Sequence, residues 1–300
     1  MKIGVLQSRL PIGYDTRNPG DFDFEKCRRL SAEFMDREFV KLENALADGV
    51  KLIVTVEGFN VSVNCDDTRY DFAQAAEPLD GPLMKRFCAL SGKYGAYIVA
   101  GLYTRQNGRV YNSAVLFGPE GTIEGIHNKV HLPAGEEIGV TPGDRFRVFD
   151  TPYGKIGMLV CWDLQYPEAA RELALQGADL ICCPTWGCEM KYVPCRAYEN
   201  SVTLAVAMGL PAGAPLWAGC DPSCVVDNMG DVAALAGREQ EGVVTAEIDV
   251  RREPAPQYGS ERYTGHTSMR QTRLSQRRPD TYREIVKERP ALADRYDGYK

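Results

Sequence analysis

Two periods run through this chain. Apolar side chains form runs of strand length at residues 2–7, 51–56, 96–102, 110–117, 122–129, 155–160, 180–184, 202–207 and 243–248. Between several of these the apolar spacing lengthens to three or four. Leu30, Phe34, Phe39, Leu42 and Ala45 predict a helix over 24–47 that Gly49 can end. Residues 82–94 predict a second helix, closed by Gly95. Ala169, Ala170, Leu173 and Ala174 predict a third, opening at Pro167, and residues 194–201 a fourth. The turns Asn107-Gly108 and Gly118-Pro119-Glu120-Gly121 join three strand runs into an antiparallel section. Hairpins are expected around Pro152-Tyr153-Gly154 and Asn228-Met229-Gly230. Strands outnumber helices but alternate with some of them. The pattern suits two facing sheets with helices outside, although periodicity alone also permits a one-sheet α/β fold.

One stretch organises the rest: Lys155-Ile156-Gly157-Met158-Leu159-Val160-Cys161-Trp162-Asp163-Leu164-Gln165-Tyr166-Pro167-Glu168. An apolar strand delivers Cys161 to its C-terminal end, a short loop follows, and Pro167 starts a helix. Such a position faces a crevice in layered α/β proteins, and nearby helix N–H groups favour a thiolate. Glu57 emerges from the end of another strand in the same way, and Lys129 closes the antiparallel section.

The formal charge of -6 gives no reason to expect nucleic acid or an anionic membrane as partner. The first residues run directly into a strand, without the apolar segment of a signal peptide, and no run approaches a membrane span. A cytoplasmic protein is expected. Ten cysteines in a chain this long do not read as a disulfide framework. Cys27, Cys88, Cys182 and Cys183 read as buried free thiols. Cys182, Cys183, Cys188, Cys195, Cys220 and Cys224 lack paired CxxC units, so no metal site is expected. The tail, 251–300, is polar and holds roughly a third of the Lys and Arg residues, which suggests an arm or interface rather than a core.

A cysteine thiol has a pKa near about 8.5, so attack at neutral pH needs a base or a nearby cation. His127, His131 and His266 are the only histidines, and none is demanded by a Cys–His signature. Glu57 as base, with the Lys129 ammonium to stabilise negative charge, is the alternative.

Leu52-Ile53-Val54-Thr55-Val56-Glu57, Asn128-Lys129-Val130-His131-Leu132 and the run from Cys161 to Glu168 occur in the order glutamate, lysine, cysteine. With weaker support from Arg196-Ala197-Tyr198-Glu199-Asn200 and Val226-Asp227-Asn228-Met229-Gly230, they make the chain resemble the nitrilase superfamily of carbon–nitrogen hydrolases over about residues 2–250. The resemblance implies a four-layer α-β-β-α sandwich at 1–250, and a C-terminal arm at 251–300 that serves a homodimer or higher homo-oligomer. It implies Glu57 as general base, Lys129 as oxyanion-stabilising cation and Cys161 as nucleophile. A second glutamate beside the lysine is expected at Glu137 by spacing, with Glu136 the alternative. The Trp162 backbone N–H is expected to help hold the oxyanion. The implied chemistry passes through a thioester, releases ammonia or an amine, and needs no cofactor or metal.

Departures from the family pattern fall at Val56, where proline is frequent, at His127-Asn128 before the lysine, and after Val206. They bear on the substrate more than on the reacting groups. Cys161-Trp162-Asp163, in place of Cys-Trp-Glu, favours an amide or N-carbamoyl amine over a nitrile, the alternative substrate. Phe59, Trp162, Tyr166, Trp186, Glu189 and Tyr192 are the candidate substrate-binding residues, and an acidic Glu189 would favour a cationic substrate.

Overall fold

The computed structural model describes residues 1–10, 23–61, 72–187, 189–211, 221–256, 259 and 261–288. The chain divides into two units, Met1–Arg252 and Glu253–Lys300.

The first unit begins with β1 (Lys2–Leu10), α1 (Phe24–Ala47), β2 (Leu52–Val54), the short α2 (Phe72–Ala75) and β3 (Glu77–Pro78). Next come α3 (Pro82–Tyr94), β4 (Tyr97–Gln106), β5 (Arg109–Phe117) and β6 (Ile123–Asn128). The second half holds β7 (Val148–Thr151), β8 (Gly154–Met158), α4 (Pro167–Leu175), β9 (Leu180–Thr185) and α5 (Val193–Asn200). It ends with β10 (Thr203–Pro211), β11 (Cys224–Val226), β12 (Val232–Leu235) and β13 (Gly242–Glu247). Asp23 caps α1 by accepting from the Lys26 N–H, and Gly95 ends α3 in the left-handed region at φ 56°.

One sheet runs β13-β1-β2-β4-β5-β6, with β1, β2 and β4 parallel and β4, β5 and β6 antiparallel. The other runs β12-β11-β10-β9-β8-β7, with β8, β9 and β10 parallel. A parallel pairing of Ser8, Arg9 and Leu10 with Gly209, Leu210 and Pro211 joins them at β1 and β10.

Side-chain alternation makes the layers. Ile3, Val5, Leu52 and Val54 of one sheet meet Ile156, Met158, Leu180 and Cys182 of the other in a shared core. Leu6 and Ile53 point the other way, onto Phe34, Leu42 and Phe87 of α1 and α3. Ile181 and Cys183 do the same onto Ala170, Leu173 and Ala197 of α4 and α5. The expected α-β-β-α sandwich is therefore present, and neighbouring Cys182 and Cys183 serve different cores. The hairpin expected around Pro152-Tyr153-Gly154 is formed by β7 and β8.

In the second unit, α6 (Glu261–Thr264) and α7 (Met269–Ser275) are short, and Ser268 caps α7 through the Gln271 N–H. No helix among the described residues is long and apolar enough to cross a membrane.

Candidate active site

The strand that carries Glu57 continues past β2 because β4 holds it. The Thr55 N–H donates to Val99 O, and the Gly101 N–H donates to Thr55 Oγ1. A Cβ on Gly101 would lie 2.6 Å from Val56 O, 2.7 Å from Glu57 Cα and 2.6 Å from Pro184 Cβ. Only glycine allows β4 to come so close to both strand ends that build the site. Val56, where family members often have proline, is buried in the core beneath α1 and α3. Glu57 is nearly inaccessible. Its Oε1 accepts from Lys129 Nζ at 2.9 Å and Asn112 Nδ2 at 2.8 Å, and its Oε2 accepts from the Trp186 N–H at 2.9 Å.

Lys129 stands one residue beyond β6 and is 2% exposed. Its Nζ also donates to Glu136 Oε2 at 2.7 Å. Glu136 Oε1 in turn accepts from Asn112 Nδ2 at 2.7 Å and Tyr103 Oη at 3.0 Å. Of the two neighbouring glutamates, it is Glu136, the alternative by spacing, that the structure sets against Lys129. Residues Glu136–Ile138 form a single 3₁₀ turn whose first residue is buried, whereas Glu137 is exposed. Spacing along the chain could not separate neighbours whose side chains leave a turn in different directions. Asn112 and Tyr103 were not among the expected residues. The register of β4 on β5 pairs them directly, and single-chain patterning carries no signal for that. Burial works against the Lys129 charge, but Glu57, Cys161 and Glu136 outweigh it and hold its pKa above the ordinary lysine range.

Cys161 follows β8 after two extended residues and opens a 3₁₀ helix, Cys161–Gln165. It takes φ 45°, a left-handed conformation that costs an L residue about 1–2 kcal/mol. Burial pushes its thiol pKa up to about 12, and the Glu57 charge adds to this. The Lys129 charge, the Thr185 side chain and the Trp186 N–H pull the other way. The resting sulfur is thus a neutral thiol within the electrostatic reach of a carboxylate and an ammonium. Cys188 and Cys220 lie outside the described residues.

A strand-end carboxylate, a buried lysine between two glutamates, and a thiol on a strained turn lie within electrostatic reach of one another. The carbon–nitrogen hydrolase family matches residues 20–257. The chain belongs to that family, within the nitrilase superfamily. It is 34% identical over 226 residues to a nitrilase of Pyrococcus abyssi, covering 72% of this chain and 84% of that one. It is 36% identical over 150 residues to the N-carbamoylputrescine amidase of Arabidopsis thaliana, covering 48% and 50%. The crystal structure of a carbon–nitrogen hydrolase from Helicobacter pylori G27 superposes with a TM-score of 0.71 at 27% identity, covering 96% of this chain and 98% of that one.

Within this family member the residues expected to bind substrate divide. Phe59 is a core residue: its ring meets Phe34, Phe39 and Phe87 at centroid distances of 5.6, 5.7 and 5.4 Å, and it is fully buried. Apolar neighbours on two helices account for its place. Trp186 is a brace as much as a wall, because its indole Nε1 donates to Glu57 O at 2.6 Å. Tyr166 stacks on His131 at 3.8 Å with planes 10° apart. Trp162 is exposed, in the first turn of the 3₁₀ helix, where N–H groups have no partner within the helix. Tyr192 precedes α5 and packs partly onto the core beneath α4 and α5. Glu189 is partly exposed and 3.7 Å from Lys191, so its charge is offset by a neighbour.

Proposed function

We propose that the chain hydrolyses a non-peptide C–N bond in a small amide or N-carbamoyl amine through a Cys161 thioester. The observation that carries this reading is the buried Lys129 ammonium bonded to both Glu57 and Glu136 within electrostatic reach of Cys161. An ammonium has three N–H donors. Two meet the carboxylates and one remains for an oxyanion.

Because burial keeps the thiol protonated, its proton leaves as the attack occurs. Glu57 takes that proton while Cys161 Sγ bonds to the carbonyl carbon. The oxygen gains the negative charge, stabilised by Lys129 and the Trp162 N–H. The C–N bond then breaks, Glu57 returns the proton to nitrogen, and ammonia or an amine departs. In the second half Glu57 takes a proton from water, whose oxygen attacks the thioester. The C–S bond breaks, the acid leaves and the sulfur recovers its proton.

Asp163 and the likeness to a carbamoyl amidase support a carbamoyl or amide substrate over a nitrile. We infer also that the chain works as a homo-oligomer through its charged Glu253–Lys300 unit, which light scattering of full chain and truncated chain would test. The assay for the main reading is ammonia release from amides, N-carbamoyl amines, N-carbamoyl amino acids and nitriles, with Cys161→Ala alongside. Turnover lost in the variant is the expected result, and carbon dioxide release marks a carbamoyl substrate. Turnover retained by Cys161→Ala overturns the mechanism.

A further inference from the structure

One junction lies outside the groups that this mechanism uses. The Asp163 side chain is fully buried. It accepts from His127 Nε2, His131 Nδ1 and the His131 N–H at 2.9 Å each. It also accepts from the Val130 and Val160 N–H groups at 3.2 Å each. Four of these donors sit on residues 127, 130 and 131, which bracket Lys129. The last belongs to the residue before Cys161.

Strand pairing does not make this connection. β6, which leads to Lys129, pairs with β5 of the first sheet. β8, which leads to Cys161, pairs with β7 and β9 of the second. The Gly143 N–H anchors Lys129 O at 2.8 Å, but it fixes the lysine backbone to a loop rather than to the cysteine turn. Asp163 instead holds hydrogen bonds to both the lysine segment and the residue that introduces the thiol.

We propose that Asp163 is a positioning residue whose carboxylate, gripped by His127 and His131, sets the separation of Lys129 Nζ and Cys161 Sγ. This rests on the reading of those two groups as oxyanion-stabilising cation and nucleophile. The junction suits a carboxylate and nothing else of its size. A carboxylate offers about four acceptor sites, and N–H groups crowd all of them. An asparagine would turn an NH₂ against donors.

His127 is buried and meets Asp163 through Nε2, while its Nδ1 has no hydrogen-bond partner among the described residues. His131 is braced on its other side by the Tyr166 ring. Burial opposes the Asp163 charge, but the His127 and His131 hydrogen bonds outweigh it and hold the carboxyl below its ordinary range. The acceptor is therefore constant across neutral pH. A glutamate here would push the carboxylate one C–C bond further into the lysine segment. The difference between Asp and Glu at this position thus acts through lysine placement, not through contact with substrate.

The test exploits the two ring nitrogens. Asparagine can imitate the Nδ1 donor of His131, glutamine can imitate the Nε2 donor of His127, and leucine can imitate neither. The rate of iodoacetamide alkylation of Cys161 at a fixed neutral pH, followed by peptide mass spectrometry, is measured on the full chain. The variants are His131→Leu, His131→Asn, His127→Leu and His127→Gln, and kcat and KM are measured for each. The leucine variants should slow alkylation at that fixed pH about tenfold, a tenfold loss of thiolate. They should lower kcat about tenfold with KM within about twofold. Asparagine and glutamine should restore most of both. Folded leucine variants with a wild-type alkylation rate, or amide variants no better than leucine, overturn the proposal.

If the leucine chains do not fold, His131→Asn is compared with His131→Gln, which displaces the donor by a methylene. Equal alkylation rates in those two would also overturn it. The alkylation readout needs no substrate. Turnover retained by Cys161→Ala would therefore defeat the hydrolase reading while the alkylation rates still judge the junction.

Discussion

Lys129 is the residue on which the charges of the site balance. One ammonium lies between two carboxylates, and Asn112 ties those carboxylates together with its two amide hydrogens. Removing the charge of the inner glutamate should cost much and removing that of its neighbour little. Glu136→Gln is expected to lower kcat about 10²-fold, the scale of one lost electrostatic contact in a closed site. Glu137→Gln, altering an exposed side chain, should stay near wild type. Steady-state kinetics on both decides the point, and equal losses would reverse the assignment. Glu57, Lys129 and Cys161 were legible because motif and strand end coincide at each. Asn112 and Gly101 were not, since a strand-borne asparagine or glycine matters only once a second strand lies against it. Gly101→Ala should cost about 1–3 kcal/mol through overpacking and displace Glu57 at the same time. A thermal melt paired with an activity assay would show both losses, and a stable, active variant would contradict the close approach.

The element that presents the thiol is held from behind. α5 sends Arg196 into the 3₁₀ helix Cys161–Gln165, donating to Leu164 O at 3.3 Å and Gln165 O at 2.9 Å, with Glu199 Oε1 at 3.2 Å on its remaining nitrogen. These carbonyls end a helix and have no partner within it. Arg171 from α4 donates to Glu199 O and ties the two helices together. The run Arg196-Ala197-Tyr198-Glu199-Asn200 thus supported the family resemblance for a reason visible only in three dimensions: one face of α5 caps the nucleophile turn. Arg196→Lys keeps the charge but not the planar fork that spans two carbonyls. It is expected to lose about tenfold in kcat, and Arg196→Ala more, with circular dichroism unchanged. A lysine variant with full activity would show that charge alone suffices.

Across the whole molecule, buried thiols link stability to pH. Burial raises the pKa of Cys182 and Cys183, and burial together with Glu57 raises that of Cys161. Groups with a raised folded pKa contribute stability that is complete below the unfolded value, near about 8.5 for cysteine. That stability is lost as pH rises toward the folded value, because the unfolded chain sheds its protons first. Lys129, also raised, adds to the loss above about pH 10. Thermal stability should therefore be flat around neutral pH and fall on the alkaline side. Each such thiol steepens the fall by about 1.4 kcal/mol per pH unit within its window. Cys182→Ala should lower stability at neutral pH yet shallow the alkaline slope. Melts from about pH 7 to about pH 11 would test this, and parallel slopes in variant and wild type would refute it.

What the sequence determined by itself was the order of elements and the identity of the three groups proposed to react. Both are local properties: side-chain period sets strand or helix, and a strand's last residue names what it delivers. The antiparallel run from β4 to β6 and the helix starting at Pro167 follow from turns and caps a few residues wide. The tertiary structure decided what depends on two distant segments meeting. It chose Glu136 over Glu137, took Phe59 into the core, and turned Trp186 toward the Glu57 backbone. It also gathered His127, His131 and the Val160 N–H onto Asp163. Each depends on which side chains meet in space, and one chain read in order carries no coordinate for that meeting.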